Sequence, residues 1–244
     1  MPNYLCRRMI APLLLVSATV AMAEPPKAVV DTICRPTFEL KDRPLSAGTA
    51  FLMETGKKQP VVLVTAHHLL GPMGGLSAEV AWNDVPKSVK RATCRSIAIP
   101  AQSWTGAPLA IPGAASFNNQ TKDGLRDIAL LTVQGKPATR PLKLAPVQPK
   151  LGDAVWLVAQ LATGAPKEKL LFKARIVQVQ DLALNYLIDD PEGTFDLRAT
   201  SGAPVVNERG EVVAVNIAGS RVAEGFNAAG ISGNVVRKAL ESVE

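Results

Sequence analysis

A serine in a predicted tight turn is the residue whose setting most strongly suggests chemistry. Ser201 begins the segment Ser-Gly-Ala-Pro, and an apolar Val-Val pair follows it. A serine hydroxyl is a poor nucleophile at neutral pH, so it needs a base within hydrogen-bond reach and a third group that orients the base. Histidine suits the base because its pKa lies near neutrality. The chain has two histidines, the adjacent His67 and His68, so a nucleophilic Ser201 would take one of them.

An aspartate supplies the third group. Asp127 precedes the run Ile-Ala-Leu-Leu, which is typical of a short buried strand. A carboxylate in this position could fix the tautomer of a histidine ring and stabilise its protonated form. Each residue alone has a plainer interpretation: Ser201 and Asp127 as turn residues, the histidines as surface groups. Their occurrence in one chain, in the order His, Asp, Ser, favours a catalytic site.

Short strands separated by Pro and Gly turns must position these residues, and they predict an all-β fold. Four prolines between 137 and 149 favour an extended connector, because proline cannot continue a central strand. We therefore expect one subdomain at 24–140 and a second at 141–244. Residues 103–123 are polar and predict a long surface loop. The strand-like segments are 50–53, 61–65, 97–99, 128–133, 154–159, 173–180, 182–188, 205–207 and 211–216.

One helix is predicted, at the C-terminal end. An apolar face at helical spacing begins at Val235 and ends at Val243, and Ser232 or Asn234 is suited to cap it.

The N-terminal segment predicts export. Arg7 and Arg8 precede an apolar stretch, and Ala-Met-Ala at 21–23 is a small-residue cleavage site. The alternative is a membrane anchor, but the stretch is shorter than the about 20 apolar residues that a span needs. We expect a signal peptide at 1–23, cleaved after Ala23, and a periplasmic or secreted product without stable membrane insertion.

Charge and cysteine content narrow the function classes further. The net charge of +6 is mild and no long Lys/Arg run occurs, so a nucleic-acid partner is not expected. Cys34 and Cys94 remain after removal of the leader, and export predicts one disulfide between them, with two buried free thiols as the alternative. The adjacent histidines and the absence of a Cys-x-x-Cys pair argue against a metal site. No cofactor is expected.

The three segments resemble those of the trypsin-like serine peptidases, particularly the bacterial HtrA/Deg branch. Residues 65–68 (Thr-Ala-His-His) resemble the family's Thr-x-x-His motif, whose last residue is the base. Residues 127–130 (Asp-Ile-Ala-Leu) resemble its Asp-Ile/Leu-Ala-Leu/Val motif, and residues 201–204 resemble its Ser-Gly-x-Pro motif. The likeness covers roughly residues 46–235, and no PDZ-type peptide-binding domain is expected after it.

The resemblance implies a chymotrypsin-like fold of two six-stranded antiparallel β-barrels with a C-terminal helix and the site in the cleft between them. It implies that His68 is the base, Asp127 the orienting acid and Ser201 the nucleophile. It also implies an oxyanion hole formed by the backbone N–H groups of Ala199 and Ser201.

Substrate contacts also follow from the resemblance. Residues Ile217, Ala218 and Gly219 would pair with an extended peptide as an added strand. Phe195 would lie near the floor of the specificity pocket, with core packing as its alternative role. Since no acid occupies that position, an apolar or small residue is favoured before the scissile bond.

Two residues depart from the family pattern. Ala199 stands where glycine is usual, and a left-handed backbone there would strain alanine by about 1–2 kcal/mol. Loss of one oxyanion donor costs about 10²–10³ in rate. Thr200 replaces the aspartate that pairs with a newly cut N-terminus in trypsin itself, so we expect no activation of that kind.

The resulting prediction is an exported serine endopeptidase that acts on proteins or peptides through an acyl-enzyme. The alternative is a trypsin-like fold with weak or no turnover that binds extended peptides. A third, weaker hypothesis is an esterase-like hydrolase that uses the same triad.

Overall fold

The fold is all-β, as the sequence predicts. A computed structural model describes residues 23–57, 60–117, 126–190 and 192–242. Residues 1–22 of the predicted signal peptide therefore lie outside the described residues. In the described ranges, no helix is long and apolar enough to cross a membrane.

Seven antiparallel strands form the first sheet, in the order β6-β5-β1-β3-β4-β7 with β2 paired to β1. They are β1 Ile33–Leu40, β2 Pro44–Ser46, β3 Ala50–Glu54, β4 Val61–Thr65, β5 Val89–Ser96, β6 Ser103–Gly106 and β7 Ala129–Thr132.

The first sheet curls until its two outer strands meet. Just beyond β6, the N–H of Leu109 donates to Leu130 O at 2.9 Å, and the N–H of Thr132 donates to Ala107 O at 2.8 Å. A six-stranded barrel was predicted here, and the structure has a curled sheet of seven strands. The short β2 is the additional strand. Only a few backbone hydrogen bonds link the two outer strands.

The second sheet is the predicted six-stranded barrel, closed in the order β10-β13-β12-β11-β8-β9. Alternate residues of β9 are buried, as in a strand with one face on a core. The strands are β8 Ala154–Val158, β9 Leu171–Val179, β10 Ala183–Ile188, β11 Pro204–Val206, β12 Val212–Val222 and β13 Gly225–Ser232.

Helices are short. The predicted C-terminal helix is α2, Gly233–Glu241, which buries Val235, Val236, Ala239 and Leu240. Ser232 occupies its N-cap position without a side-chain capping bond, and Val243 lies outside the described residues. The other helices are α1 Val85–Ser88 and the 3₁₀ segments Lys27–Thr32, His67–Leu70 and Pro72–Gly74.

The two sheets share one apolar core. Trp156, Val212 and Ile217 of the second barrel belong to the same buried cluster as the interior of the first sheet. A second cluster fills the inside of the closed barrel. Because the two units pack on each other through buried apolar side chains, residues of both can meet at a cleft between them.

A disulfide joins Cys34 of β1 to Cys94 of β5, which confirms the predicted pair. The sequence separation of 60 residues corresponds to a stabilisation of about 4 kcal/mol in the chain-entropy model. Both cysteines are fully buried. The bond therefore fixes two central strands of the first sheet against each other.

Several segments differ from the sequence-based prediction. Residues 97–99 are not a strand, since β5 ends at Ser96. The predicted loop at 103–123 begins with β6. Strands β1, β2, β5 and β13 have no counterpart in the prediction. Pro36 interrupts the pattern of β1, and small residues dilute the pattern of β13.

Candidate active site

A histidine and an aspartate beside the ends of neighbouring strands form a buried part of the site. Thr65 at the end of β4 pairs with Ala129 of β7. His68 follows β4 by three residues and Asp127 precedes β7 by two, so the antiparallel register brings them together. His68 Nδ1 lies 2.6 Å from Asp127 Oδ2, and the His68 N–H donates to Asp127 Oδ1 at 2.8 Å.

The hydrogen bonds around Asp127 fix the state of the histidine ring. Asp127 is fully buried, and its Oδ2 also accepts the N–H of Phe117 at 3.2 Å. An ionised carboxylate only accepts hydrogen bonds, so Nδ1 of His68 carries the proton that points to it. In the neutral ring, Nε2 is then the basic nitrogen.

The other histidine is engaged elsewhere. Nε2 of His67 lies 2.9 Å from Val80 O and 3.4 Å from a carboxylate oxygen of Glu79. Burial lowers the pKa of His67, which favours the neutral ring with its proton on Nε2, donated to Val80.

Ser201 belongs to the second barrel but is held against the first sheet. Its carbonyl oxygen accepts the N–H of Thr49 at 2.8 Å. The next residue, Gly202, has φ +85°, and a Cβ there would lie 2.1 Å from Thr49 O and 2.4 Å from Thr65 Oγ1. Only glycine fits this approach. Glycine at position 202 is therefore required by the contact between the two subdomains as well as by the turn.

A cleft of about 710 Å³ joins the two subdomains at Ser201 and His68. The predicted residues Ala199, Phe195, Ile217, Ala218 and Gly219 line it as well. Asp127 lies behind His68 and does not line the cleft. The Ser201 hydroxyl, however, donates to Ile217 O at 3.5 Å rather than to His68.

Ala199 has the left-handed backbone conformation that would suit the glycine usual at this position, and this conformation strains an alanine. Its φ is +66°, and among the described residues it is the one non-glycine with positive φ. The N–H groups of Ala199 and Ser201 have no hydrogen-bond acceptor among the described residues. The N–H of Thr200, which lies between them, donates to Leu197 O at 3.1 Å. Two unpaired donors thus flank one paired donor at the edge of the cleft.

A buried chain of polar groups supports this turn from beneath, and sequence reasoning missed it. The hydroxyl of Tyr186 donates to Asn216 Oδ1 at 2.6 Å, and Asn216 Nδ2 donates to Thr200 Oγ1 at 3.0 Å. Thr200 Oγ1 in turn donates to Leu197 O at 2.6 Å. Burial raises the pKa of Tyr186 far above its usual value, so its proton stays in place as a donor.

Phe195 combines the two roles considered for it. Its ring lines the cleft and also packs edge-on against Phe172, with 5.3 Å between ring centroids. Its N–H donates to Asp190 Oδ2 at 3.0 Å, and its carbonyl accepts Arg221 Nη2 at 2.8 Å. Arg221 also pairs with Asp190, so one ion pair clamps the backbone of Phe195 on both sides.

A second aromatic residue was not anticipated in this wall. Phe226 of β13 also lines the cleft, and a Cβ at position 219 would lie 2.4 Å from its ring. Gly219 therefore gives the Phe226 ring room beside the strand edge at 217–219. No sequence signal identified Phe226, because the contact depends on the pairing of β12 with β13.

Chemically, the site offers a basic nitrogen, a hydroxyl and two free N–H donors around one cleft. In the described ranges, no three side chains of His, Cys, Asp or Glu cluster as a metal site would require.

The chain belongs to the family described as trypsin-like peptidase domain, whose model matches residues 48–215. The family is one of peptidases, which are hydrolases with protein or peptide substrates. A search of curated proteins found no match.

Solved structures of low sequence identity share the fold. The active form of the Rv3671c protease from M. tuberculosis is 15% identical with a TM-score of 0.54, over 97% of this chain and 94% of that chain. Its inactive form is 16% identical with a TM-score of 0.51, over 92% of this chain and 99% of that chain.

The strain at Ala199 leads to a stability prediction. The substitution Ala199→Gly removes about 1–2 kcal/mol of strain but adds the entropy cost of glycine, about 0.4–1 kcal/mol. We expect the free energy of unfolding in urea to stay the same or rise by up to about 1.6 kcal/mol. The exposed Ala101, in a turn without positive φ, is the matched control, and Ala101→Gly should lower it by about 0.4–1 kcal/mol. Equal losses in the two variants would mean that Ala199 is not strained.

The clamp on Phe195 leads to a prediction of pH dependence. Burial alone would raise the pKa of Asp190, but hydrogen bonds from Phe195 N–H, Arg221 and Thr194 N–H outweigh it and lower the pKa. A carboxyl with a lowered folded pKa stabilises the protein above its unfolded pKa of about 3.9, and this contribution disappears as the pH falls through the folded pKa.

We therefore expect Asp190→Asn to lower the free energy of unfolding at pH 7, by roughly 1–3 kcal/mol for the weakened hydrogen bonds. The deficit should shrink below about pH 4. Urea unfolding at pH 7, 5 and 3 measures it, with Asp189→Asn at the exposed neighbouring position as the control. A deficit that is the same at all three pH values would contradict this role of the Asp190 carboxylate.

Proposed function

We propose that the chain is an exported serine endopeptidase in which Ser201, His68 and Asp127 form a catalytic triad. The observation that carries the proposal is the buried His68–Asp127 hydrogen bond at 2.6 Å, behind a cleft that His68 and Ser201 both line. Asp127 holds the ring with Nε2 as its basic nitrogen, which is the state that a general base requires. His67 is not the base, because Val80 O occupies its Nε2.

The reaction proceeds through an acyl-enzyme. Ser201 Oγ forms a bond to the peptide carbonyl carbon while its proton moves to His68 Nε2. His68 then passes that proton to the leaving amine as the C–N bond breaks. Water attacks the ester with His68 again as base, which releases the acid and restores the Ser201 hydroxyl.

The N–H groups of Ala199 and Ser201 are the proposed oxyanion hole. Both lack an acceptor in the described structure, and preorganised donors of this kind stabilise the charge that develops on the carbonyl oxygen. Before attack, the Ser201 hydroxyl must rotate from Ile217 O towards His68. Catalytic hydrogen bonds are often long before substrate binds, so the contact of 3.5 Å is compatible with this mechanism.

Substrate is proposed to bind as an extended strand along Ile217, Ala218 and Gly219. The wall formed by Phe195 and Phe226 is aromatic, and Asp190 beside it is neutralised by Arg221. These features support an apolar or small residue before the scissile bond. Export to the periplasm or the exterior is proposed from the leader at 1–23, and the Cys34–Cys94 disulfide suits an oxidising compartment.

A peptide-binding module with little or no turnover is the second candidate. The hydrogen bond from Ser201 Oγ to Ile217 O, together with the strained Ala199, favours it. In that case the cleft would hold extended peptides without cleaving them.

A fluorophosphonate probe separates the two candidates, since it reacts with activated serines. We expect labelling of the wild type and none of Ser201→Ala. Asp127→Asn should reduce turnover by about 10⁴-fold, because the His68 ring would no longer be held in the tautomer that leaves Nε2 basic. His68→Gln should abolish labelling, whereas His67→Gln, the matched control, should retain it. Absence of labelling in folded wild-type protein, judged by circular dichroism, would contradict the peptidase proposal and favour the binding module.

Digestion of casein and of a peptide library then tests the substrate. Cleavage sites after apolar or small residues are expected, and cleavage mainly after Lys or Arg would contradict the assignment of the Phe195 wall. Hydrolysis of esters without any peptide cleavage would indicate an esterase.

A further inference from the structure

Arg35 lies on β1 but reaches across to the second barrel. Its Nη1 donates to Gly48 O at 3.0 Å and to Thr49 Oγ1 at 2.9 Å, both in the first subdomain. The same nitrogen donates to Ala199 O, and Nη2 donates to Gln160 O at 2.9 Å. One guanidinium group therefore connects the two subdomains directly at the proposed oxyanion hole.

The setting of Arg35 is unusual for a cation. All four of its acceptors are neutral oxygens, and in the described part of the chain no carboxylate lies within ion-pair distance. Burial lowers the pKa of Arg35, which reflects the cost of holding the charge there. Arg35 is partly buried, and a partly desolvated charge without a counterion is retained against a cost. The structure shows what it contacts, which includes the carbonyl of the strained Ala199.

We propose that Arg35 is a positioning residue that keeps Ala199 at positive φ. The Ala199 carbonyl is held from two sides, by Arg35 and by Thr49 Oγ1 at 2.8 Å. With that oxygen fixed, Ala199 cannot relax to a negative φ without losing both bonds. Its N–H is thereby kept free beside the N–H of Ser201.

The bidentate, planar form of the side chain is needed for this role. A guanidinium can donate in two directions at once, to Ala199 O through one nitrogen and to Gln160 O through the other. A lysine ammonium is a point charge on a flexible stem and would not span these acceptors. Sequence reasoning could not assign Arg35, because its partners are 13 to 164 residues away.

This inference rests on the proposed function, and steady-state kinetics on a cleaved peptide test it. In Arg35→Ala we expect kcat to fall about 10- to 100-fold with KM within about threefold, since a misplaced donor approaches the loss of one donor. Arg35→Lys should recover little. Arg95→Ala, on the paired position of β5 and exposed, is the matched control and should resemble wild type.

Rescue by glycine distinguishes positioning from a merely structural role. Glycine adopts positive φ without strain. The double variant Arg35→Ala/Ala199→Gly should therefore have a kcat at least about fivefold higher than that of Arg35→Ala. A wild-type kcat in Arg35→Ala, or a double variant as slow as Arg35→Ala, would overturn the inference.

A crystal structure of Arg35→Ala tests the inference without turnover. We expect residue 199 to leave the positive-φ region, and an unchanged φ with an unmoved carbonyl would overturn the role of Arg35. An inactive, unlabelled wild type would instead refute the proposed function. The two failures are therefore distinguishable.

Discussion

The close contact between the turn at Ser201 and the first sheet is the constraint on which the rest of the site depends. Gly202 leaves no room for a side chain against Thr49 and Thr65, and the Ser201 carbonyl is bonded to the N–H of Thr49. If the turn were displaced, Ser201 would separate from His68, whose place is set by the first sheet alone. The shared apolar core keeps the two subdomains at the distance that this contact requires.

The same contact explains how a strained alanine persists. A left-handed alanine costs about 1–2 kcal/mol. A hydrogen bond to a charged donor contributes about 1.5–3 kcal/mol, so the bond from Arg35 to the Ala199 carbonyl can offset the strain. Next to Ala199, the buried bonds among Tyr186, Asn216 and Thr200 join neutral groups only. The turn is thus bonded at the Ala199 carbonyl by Arg35 and Thr49, and at the Thr200 hydroxyl by Asn216.

Much of this architecture could be predicted from the sequence, because it depends on local patterns. The apolar runs of β3, β4 and β8 and the helix α2 are each recognisable from a few neighbouring residues. The Cys34–Cys94 pair followed from the cysteine count and is confirmed. The positions of His68, Asp127 and Ser201 at strand ends followed from short motifs.

The remaining features depend on contacts between distant segments. Pro36 interrupts the strand pattern of β1, so the sequence did not predict this strand. Its pairing with β5 depends on residues about 60 positions away. Arg35, Tyr186 and Phe226 had no signal, because the partners of each become visible only when the strands are paired. The sequence indicated that Ala199 would be strained if its backbone were left-handed. The structure shows that its φ is positive.

A crystal structure of the fluorophosphonate-labelled protein is the most direct test of the central claim, that the turn places nucleophile and donors around one reacting centre. We expect a covalent bond from Ser201 Oγ to phosphorus and a phosphoryl oxygen about 2.7–3.1 Å from the backbone nitrogens of both Ala199 and Ser201. A phosphoryl oxygen that contacts neither nitrogen, with Ala199 at a negative φ, would contradict it.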